Sequence, residues 1–158
     1  MNKQQLRQDI VDTLKAELSS AMDAAQQAHD AATHEQSKAE TQYDTLGLEN
    51  AYLAQGLSRR IDELIQAISQ LENWTIKDFT QDDDIYLGAL LTLQAPSKPE
   101  TLTVFMAISG GGVVLKQGTS TIKVITPQTP LGQALLGLGV EDTVRVSEAI
   151  TYKILELQ

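Results

Sequence analysis

THEQSKAETQYDTLGLENAYLAQGLSRR, residues 33–60, determines the architecture of the first half of the chain, because one helical pattern ends in it and a second begins. Residues 43–47 have the composition of a turn, since their glycine adopts positive φ at little cost. Four carboxylates surround this turn: Glu35, Glu40, Asp44 and Glu49. We predict a helix–helix turn between Gln42 and Leu48 with an acidic tip near 40–49. A charge run of this kind is also typical of a plain solvated turn.

Apolar residues on both sides of the turn recur in alternating steps of three and four, the heptad pattern of helices that pack along a seam. The first seam consists of Val11, Leu14, Leu18, Ala21, Ala25, Ala28 and Ala32. The second consists of Ala54, Leu57, Ile61, Leu64, Ile68 and Leu71. A short turn makes consecutive helices antiparallel neighbours. Residues 2–72 are therefore predicted to form an intramolecular hairpin, although a dimerising coiled coil would show the same heptads.

The second half of the chain changes to the alternating pattern of strands. Strands are predicted at 85–93, 102–108, 113–116, 119–125, 143–147 and 150–157. Three glycines at 110–112 are interpreted as a hairpin turn rather than a phosphate loop, because no Lys-Ser or Lys-Thr pair follows them. One helix interrupts the strands, with Thr129 as its cap, Pro130 at its first position and Gly139 at its end.

These patterns predict an α+β protein with two domains. Residues 1–75 would form the helical hairpin, a coiled coil with an acidic tip. Residues 76–158 would form a small, mainly antiparallel sheet with one helix. About 80 residues can hold a core of their own, although the stability margin of such a domain is small.

Composition excludes several classes of function. The chain has 12 basic and 21 acidic residues, which argues against duplex DNA binding because that needs a basic stripe. It has no cysteine, so neither disulfides nor thiolate metal sites are possible. His29 and His34 lie five apart rather than four, so they are interpreted as exposed helix positions. Asp82–Asp84 is interpreted as a solvated turn. No apolar run approaches the ~20 residues of a membrane span, so we expect a soluble, cytoplasmic protein.

Four segments resemble the bacterial Gre transcript cleavage factors. Thr126–Gly137, TPQTPLGQALLG, is similar to the segment of that family's C-terminal domain that runs from Ser-Pro to Ala-Leu-Leu-Gly. Glu141–Val144 resembles the family's Gly-Asp-x-Val step, and Ile150–Leu157 resembles its closing strand. Arg60–Leu64 resembles the returning helix of the Gre coiled coil. The resemblance covers nearly the whole chain, in the same domain order.

The resemblance implies a C-terminal domain with the FKBP-like fold that docks on RNA polymerase. Four residues would lie at the docking surface: Gln128, Thr129, Pro130 and Gln133. The hairpin would enter the secondary channel of the polymerase, and contact with nascent RNA would be indirect. The protein would be a monomeric accessory factor, not an enzyme, without a metal or cofactor of its own. The polymerase's own magnesium would cleave a backtracked transcript.

The tip departs from the family pattern, which is Asp-x-x-Glu-Asn. An ungapped match from Arg60 places the family's two acids over Glu40 and Tyr43. A match on Glu49 instead leaves Asp44 five residues upstream rather than three. Asp44, with Glu40 or Glu49, is predicted to act on the polymerase's magnesium, and both transcript cleavage and inhibition remain open. The alternative from another class is a non-catalytic coiled-coil adaptor whose sheet domain binds another protein.

Overall fold

Two long helices precede a sheet that carries one short helix. The computed structural model describes residues 1–38 and 44–158. Helix α1 spans Lys3–Lys38 and helix α2 spans Asp44–Glu72. The α+β class and the N-terminal helical hairpin predicted from the heptads are both confirmed. No helix in the described ranges is both long and apolar enough to span a membrane.

Helix α2 begins earlier than predicted. Residues 44–48 belong to its first turns, so the prediction of a turn reaching Leu48 is wrong for this part of the chain. Residues 39–43, which join the two helices and include Glu40, lie outside the described residues. A glycine inside a helix costs only about 1 kcal/mol relative to alanine. Gly47 and Gly56 therefore permit a turn without imposing one, and both are helical.

The chain divides into two compact units, residues 12–69 and residues 1–11 with 70–158. In the first unit the buried apolar side chains are seam residues: Leu14, Ala21, Ala28, Leu64 and Ile68. Arg60 Nη2 of α2 donates to Glu17 Oε1 of α1 at 2.7 Å, and this hydrogen bond raises the pKa of Arg60. The predicted domain boundary between residues 75 and 76 stays a prediction.

Six strands in the second unit form one mixed sheet, in the order β3-β4-β2-β1-β6-β5. The strands are β1 (Leu90–Gln94), β2 (Thr101–Met106), β3 (Val114–Gln117), β4 (Ser120–Ile125), β5 (Thr143–Arg145) and β6 (Thr151–Leu157). Helix α3 (Pro130–Leu135) lies between β4 and β5 in the chain. Four pairings are antiparallel, and β2 with β4 is parallel.

The parallel pair changes the role of the three glycines at 110–112. Since β3 pairs with β4 and not with β2, these glycines do not form the hairpin turn that the sequence predicted. They belong instead to the connection that parallel neighbours require. The hairpin turn lies further on, where Gln117 is opposite Ser120.

The first strand was predicted at 85–93 but begins at Leu90, so residues 85–89 precede it. Gly88 has φ 96°, a left-handed conformation that breaks the extended backbone. Its N–H nevertheless donates to the Met106 carbonyl at 2.8 Å.

Helix α3 ends at Leu135, so the prediction that it runs to Leu138 and closes at Gly139 is wrong. The backbone after the helix pairs with the segment at Ile85 instead. Gly137 N donates to Ile85 O at 3.0 Å, and Ile85 N donates to Leu138 O at 2.8 Å. The first hydrogen bond satisfies the Gly137 N–H, which a longer helix would have bonded within itself, and the second satisfies the Leu138 carbonyl.

One face of the sheet carries a core that includes Leu135 of α3. Its buried strand residues are Leu91, Leu93, Val104, Met106, Ile125, Val144, Ile154 and Leu157. Phe105 alternates with Val104 and Met106, so it lies on the opposite face. There its ring centroid is 6.0 Å from that of Trp74. The sheet is therefore packed on both faces.

Glu141 has φ 74°, the left-handed conformation that favours glycine. Its carboxylate pairs with Lys153 at 2.6 Å, but both side chains are largely exposed, so this pair contributes little to stability.

We expect the Glu141→Gly variant to have a free energy of unfolding about 1 kcal/mol higher than that of the Glu141→Ala variant, because alanine keeps the strain. Urea unfolding measures this. Glu148, which is exposed and without positive φ, is the matched control. At position 148 the glycine variant should have the lower free energy of unfolding. If alanine were the more stable variant at both positions, backbone strain at Glu141 would not explain the effect.

Candidate functional site

The segment before α3 is held by the hydroxyl of Thr129. Its Oγ1 donates to Thr126 O at 2.8 Å and accepts from Gly132 N at 3.1 Å. Pro130 follows as the first helical residue. The predicted cap and proline position are therefore confirmed, and Thr129 fixes the direction in which the helix leaves the sheet.

Three of the four predicted docking residues are exposed on this segment, namely Gln128, Pro130 and Gln133. Thr129 is half-buried, and its hydroxyl is engaged by the backbone. Leu135 of the same helix is fully buried in the core. The motif thus combines side chains that fold the domain with side chains that a partner could contact. Their role in docking stays a prediction.

Gly132 is the structural residue that sequence reasoning passed over. A Cβ atom built on Gly132 would lie 1.9 Å from the Thr126 carbonyl oxygen and 2.8 Å from Thr129 Oγ1. No side chain fits at this position unless the backbone moves. The sequence did offer an indication of this close contact. Glycine is unfavourable inside a helix, so a glycine within a short helix suggests that a side chain does not fit there.

The acidic tip is described only in part. Asp44 is the first residue of α2, and Glu49 lies in the same helix with an exposed side chain. At 3.6 residues per turn, positions 44 and 49 lie about 140° apart around the helix axis. They therefore do not share one helix face. Glu40, the third predicted acid, lies outside the described ranges.

The acidic run at 82–84 is organised by a turn. Asp83 Oδ2 accepts hydrogen bonds from Thr80 N at 2.7 Å and from Thr80 Oγ1 at 2.9 Å. These bonds hold the pKa of Asp83 below its ordinary value. Lys77 Nζ lies 3.7 Å from Asp83 Oδ1. Within residues 1–38 and 44–158, no three His, Cys, Asp or Glu side chains are arranged to hold a metal ion.

Two cations at the start of α1 bind the segment that follows α2. Lys3 Nζ donates to Lys77 O at 2.8 Å and lies 5.0 Å from the centroid of the Phe79 ring. Burial lowers the pKa of Lys3. Arg7 Nη1 donates to Trp74 O at 2.6 Å. The sequence marked this segment only as a boundary, because the partners of Lys3 and Arg7 are more than sixty residues away.

Neither a protein-family model nor a curated protein matches the chain. Among solved structures, it is similar to the GreA factor homolog 1 (Gfh1) protein of Thermus thermophilus, at 21% identity and a TM-score of 0.40, over 94% of each chain. It is also similar to Thermus aquaticus Gfh1, at 21% identity and a TM-score of 0.39, over 92% of each chain. A further structure of the transcription factor Gfh1 matches at 20% identity and a TM-score of 0.41, over 93% of this chain and 92% of that one.

Proposed function

We propose that this protein is a Gre-like transcription factor. It binds RNA polymerase through its C-terminal sheet domain, inserts its hairpin into the secondary channel and modulates elongation in the cytoplasm. The observation that carries the proposal is the capped turn and helix at 126–137, placed after a helical hairpin in the order of the Gre family. The protein acts as an accessory factor, without catalytic residues or a metal of its own.

Support for the docking surface comes from residues 126–137, in which some residues fix the backbone and others are exposed. Thr129 and Gly132 fix the backbone, whereas Gln128, Pro130 and Gln133 are exposed. A rigid turn that presents exposed side chains loses little conformational entropy when it binds a partner.

Support for insertion comes from the first turns of α2. Leu48, Tyr52 and Leu53 are each more than half exposed, and Glu49 lies among them. Leu48 and Tyr52 are one helical turn apart, and neighbouring exposed apolar side chains are typical of interaction surfaces. Inside a channel lined by protein, a carboxylate acts more strongly on a nearby cation than it does in water.

The polymerase's magnesium is the cation that such a tip would meet. Mg²⁺ is bound through one or two carboxylates and keeps several waters, so a single exposed carboxylate fits this role. Glu49 is the described residue that meets this requirement, and Asp44 and Glu40 remain candidates. Cleavage of backtracked RNA and inhibition of nucleotide addition both stay within the proposal.

A stalled, backtracked elongation complex titrated with the protein tests the proposal. The wild type should shorten the transcript or slow nucleotide addition. Gln133→Glu should raise the concentration for half effect by about fivefold or more, because it places a charge in the contact surface. Glu49→Ala, Asp44→Ala and Glu40→Ala should instead reduce the effect at saturation without changing that concentration.

Two variants serve as matched controls. Gln117→Glu adds the same charge on edge strand β3, and Asp62→Ala removes an exposed acid from α2 far from its start. Both should behave as wild type. If the wild-type protein neither shortens the transcript nor slows nucleotide addition, the proposal is wrong. The adaptor alternative is then favoured, although an adaptor that dimerises through the heptads must first open the seam in which Leu14 and Leu64 are buried.

A further inference from the structure

A cleft of about 620 Å³ opens on the sheet between the loop before β2 and the start of β6. Its lining includes Leu102, Lys123 and Tyr152. Leu102 and Tyr152 pack at the margin of the core that contains Leu135, and Lys123 pairs with Val104 of that core. All three therefore lie on the same face of the sheet. No residue of 126–137 lines the cleft, so it is separate from the proposed docking surface.

The charges of this cleft differ from those of the protein. Lys98 and Lys123 both line it, and neither forms an ion pair with any residue in the described ranges. Glu100 is the one carboxylate among the lining residues, so the lining carries one net positive charge. The whole chain carries a net charge of −9. Two ammonium groups without an ion-pair partner, in a lining with a net positive charge on so acidic a protein, mark a place where an anion is favoured.

The remaining lining supplies apolar surface. Ile150 is 44% exposed, although it is a large aliphatic side chain. The half-buried Leu102 and the ring of Tyr152 lie in the same lining. The volume falls within the range of small-molecule sites, which combine apolar walls with a few polar groups that orient the ligand.

We propose that this cleft binds a small organic anion with an apolar or aromatic body. Lys98 and Lys123 bind its carboxylate, sulfonate or phosphate group, because ammonium groups make strong hydrogen bonds to such oxygens. Ile150, Leu102 and Tyr152 contact the body of the ligand. Glu100 opposes the anion and lowers the affinity of the site.

The test uses 8-anilinonaphthalene-1-sulfonate as probe and the ¹⁵N-labelled chain of 158 residues. Amide shift changes should be confined to residue 123, residues 149–152 and the non-proline residues of 95–102. Lys123→Gln should weaken binding by about tenfold, as expected for loss of one charge-assisted hydrogen bond. Glu100→Gln should strengthen binding severalfold. Lys116→Gln is the matched control, since Lys116 alternates on the same sheet face but lies outside the cleft.

A second probe separates charge from apolar contact. N-phenyl-1-naphthylamine has the same rings without the sulfonate and should bind at least about tenfold more weakly. Equal affinity for both probes would show a plain apolar pocket and overturn the proposal. So would shift changes located on α1 or α2, or a Lys123→Gln variant that binds as tightly as the wild type. The amide spectrum also shows directly whether each variant is folded.

Discussion

Gly132→Ala is expected to lower the free energy of unfolding by about 3 kcal/mol or more, from overpacking together with loss of the helix cap. The new methyl group would occupy the space of the Thr126 carbonyl oxygen, 1.9 Å away. Because that oxygen is backbone and also accepts from Thr129, it cannot rotate aside as a flexible side chain would. Relief requires the helix to move away from the end of β4, which breaks the cap and exposes Leu135.

Urea unfolding followed by tryptophan fluorescence measures this effect, since the single tryptophan, Trp74, lies beside Phe105 of the sheet. Gly56→Ala is the control, because a Cβ built on Gly56 meets no atom within 4 Å. There the helix should gain up to about 1 kcal/mol, which circular dichroism can follow. If Gly132→Ala cost less than about 1 kcal/mol, the close approach would not hold the cap in place.

Leu14→Asp is expected to abolish the cooperative unfolding of the hairpin. Leu14 is 3% exposed in the seam between the helices. A carboxylate there must either lose its hydration or force the helices apart, at a cost of several kcal/mol. Thermal unfolding followed at 222 nm measures the loss of helix. Ile61→Asp should cost less, because Ile61 is only half-buried.

Met22→Asp is the matched control on the same helix, since Met22 is 53% exposed. Its expected cost is within about 1 kcal/mol, mostly from helix propensity. If Leu14→Asp and Met22→Asp unfolded at the same temperature, the seam would not be what stabilises the hairpin.

The heptads predicted the hairpin well because a repeat of seven residues is a local signal that only a helix satisfies. Thr129 and Pro130 were equally readable, since capping depends on neighbours within four residues. The end of α3 was not readable, because it depends on hydrogen bonds between Gly137 and Ile85 across some fifty residues. The parallel pairing of β2 with β4 was missed for the same reason. Alternation shows which face a residue occupies, but not which strand lies beside it.

The candidate sites divide in the same way. Gln128 and Gln133 were assigned to the docking surface from a contiguous motif; both are exposed, and their role in docking stays a prediction. The cleft could not be predicted, since Lys98, Lys123 and Tyr152 come from three separate parts of the chain and meet only through the sheet. The arrangement of positions 44 and 49 in space depends on where α2 begins. The presence of Gly47 did not determine that residue, because this glycine lies inside the helix.

The early start of α2 has a consequence for reach. At about 1.5 Å per residue, positions 44 and 49 are separated by about 7.5 Å along the helix axis. In a hairpin that enters a channel tip first, position 49 would therefore trail the first residue of α2 by about one and a half helical turns. Glu49, whose side chain is exposed, would act from a point set back along α2 rather than from its leading end.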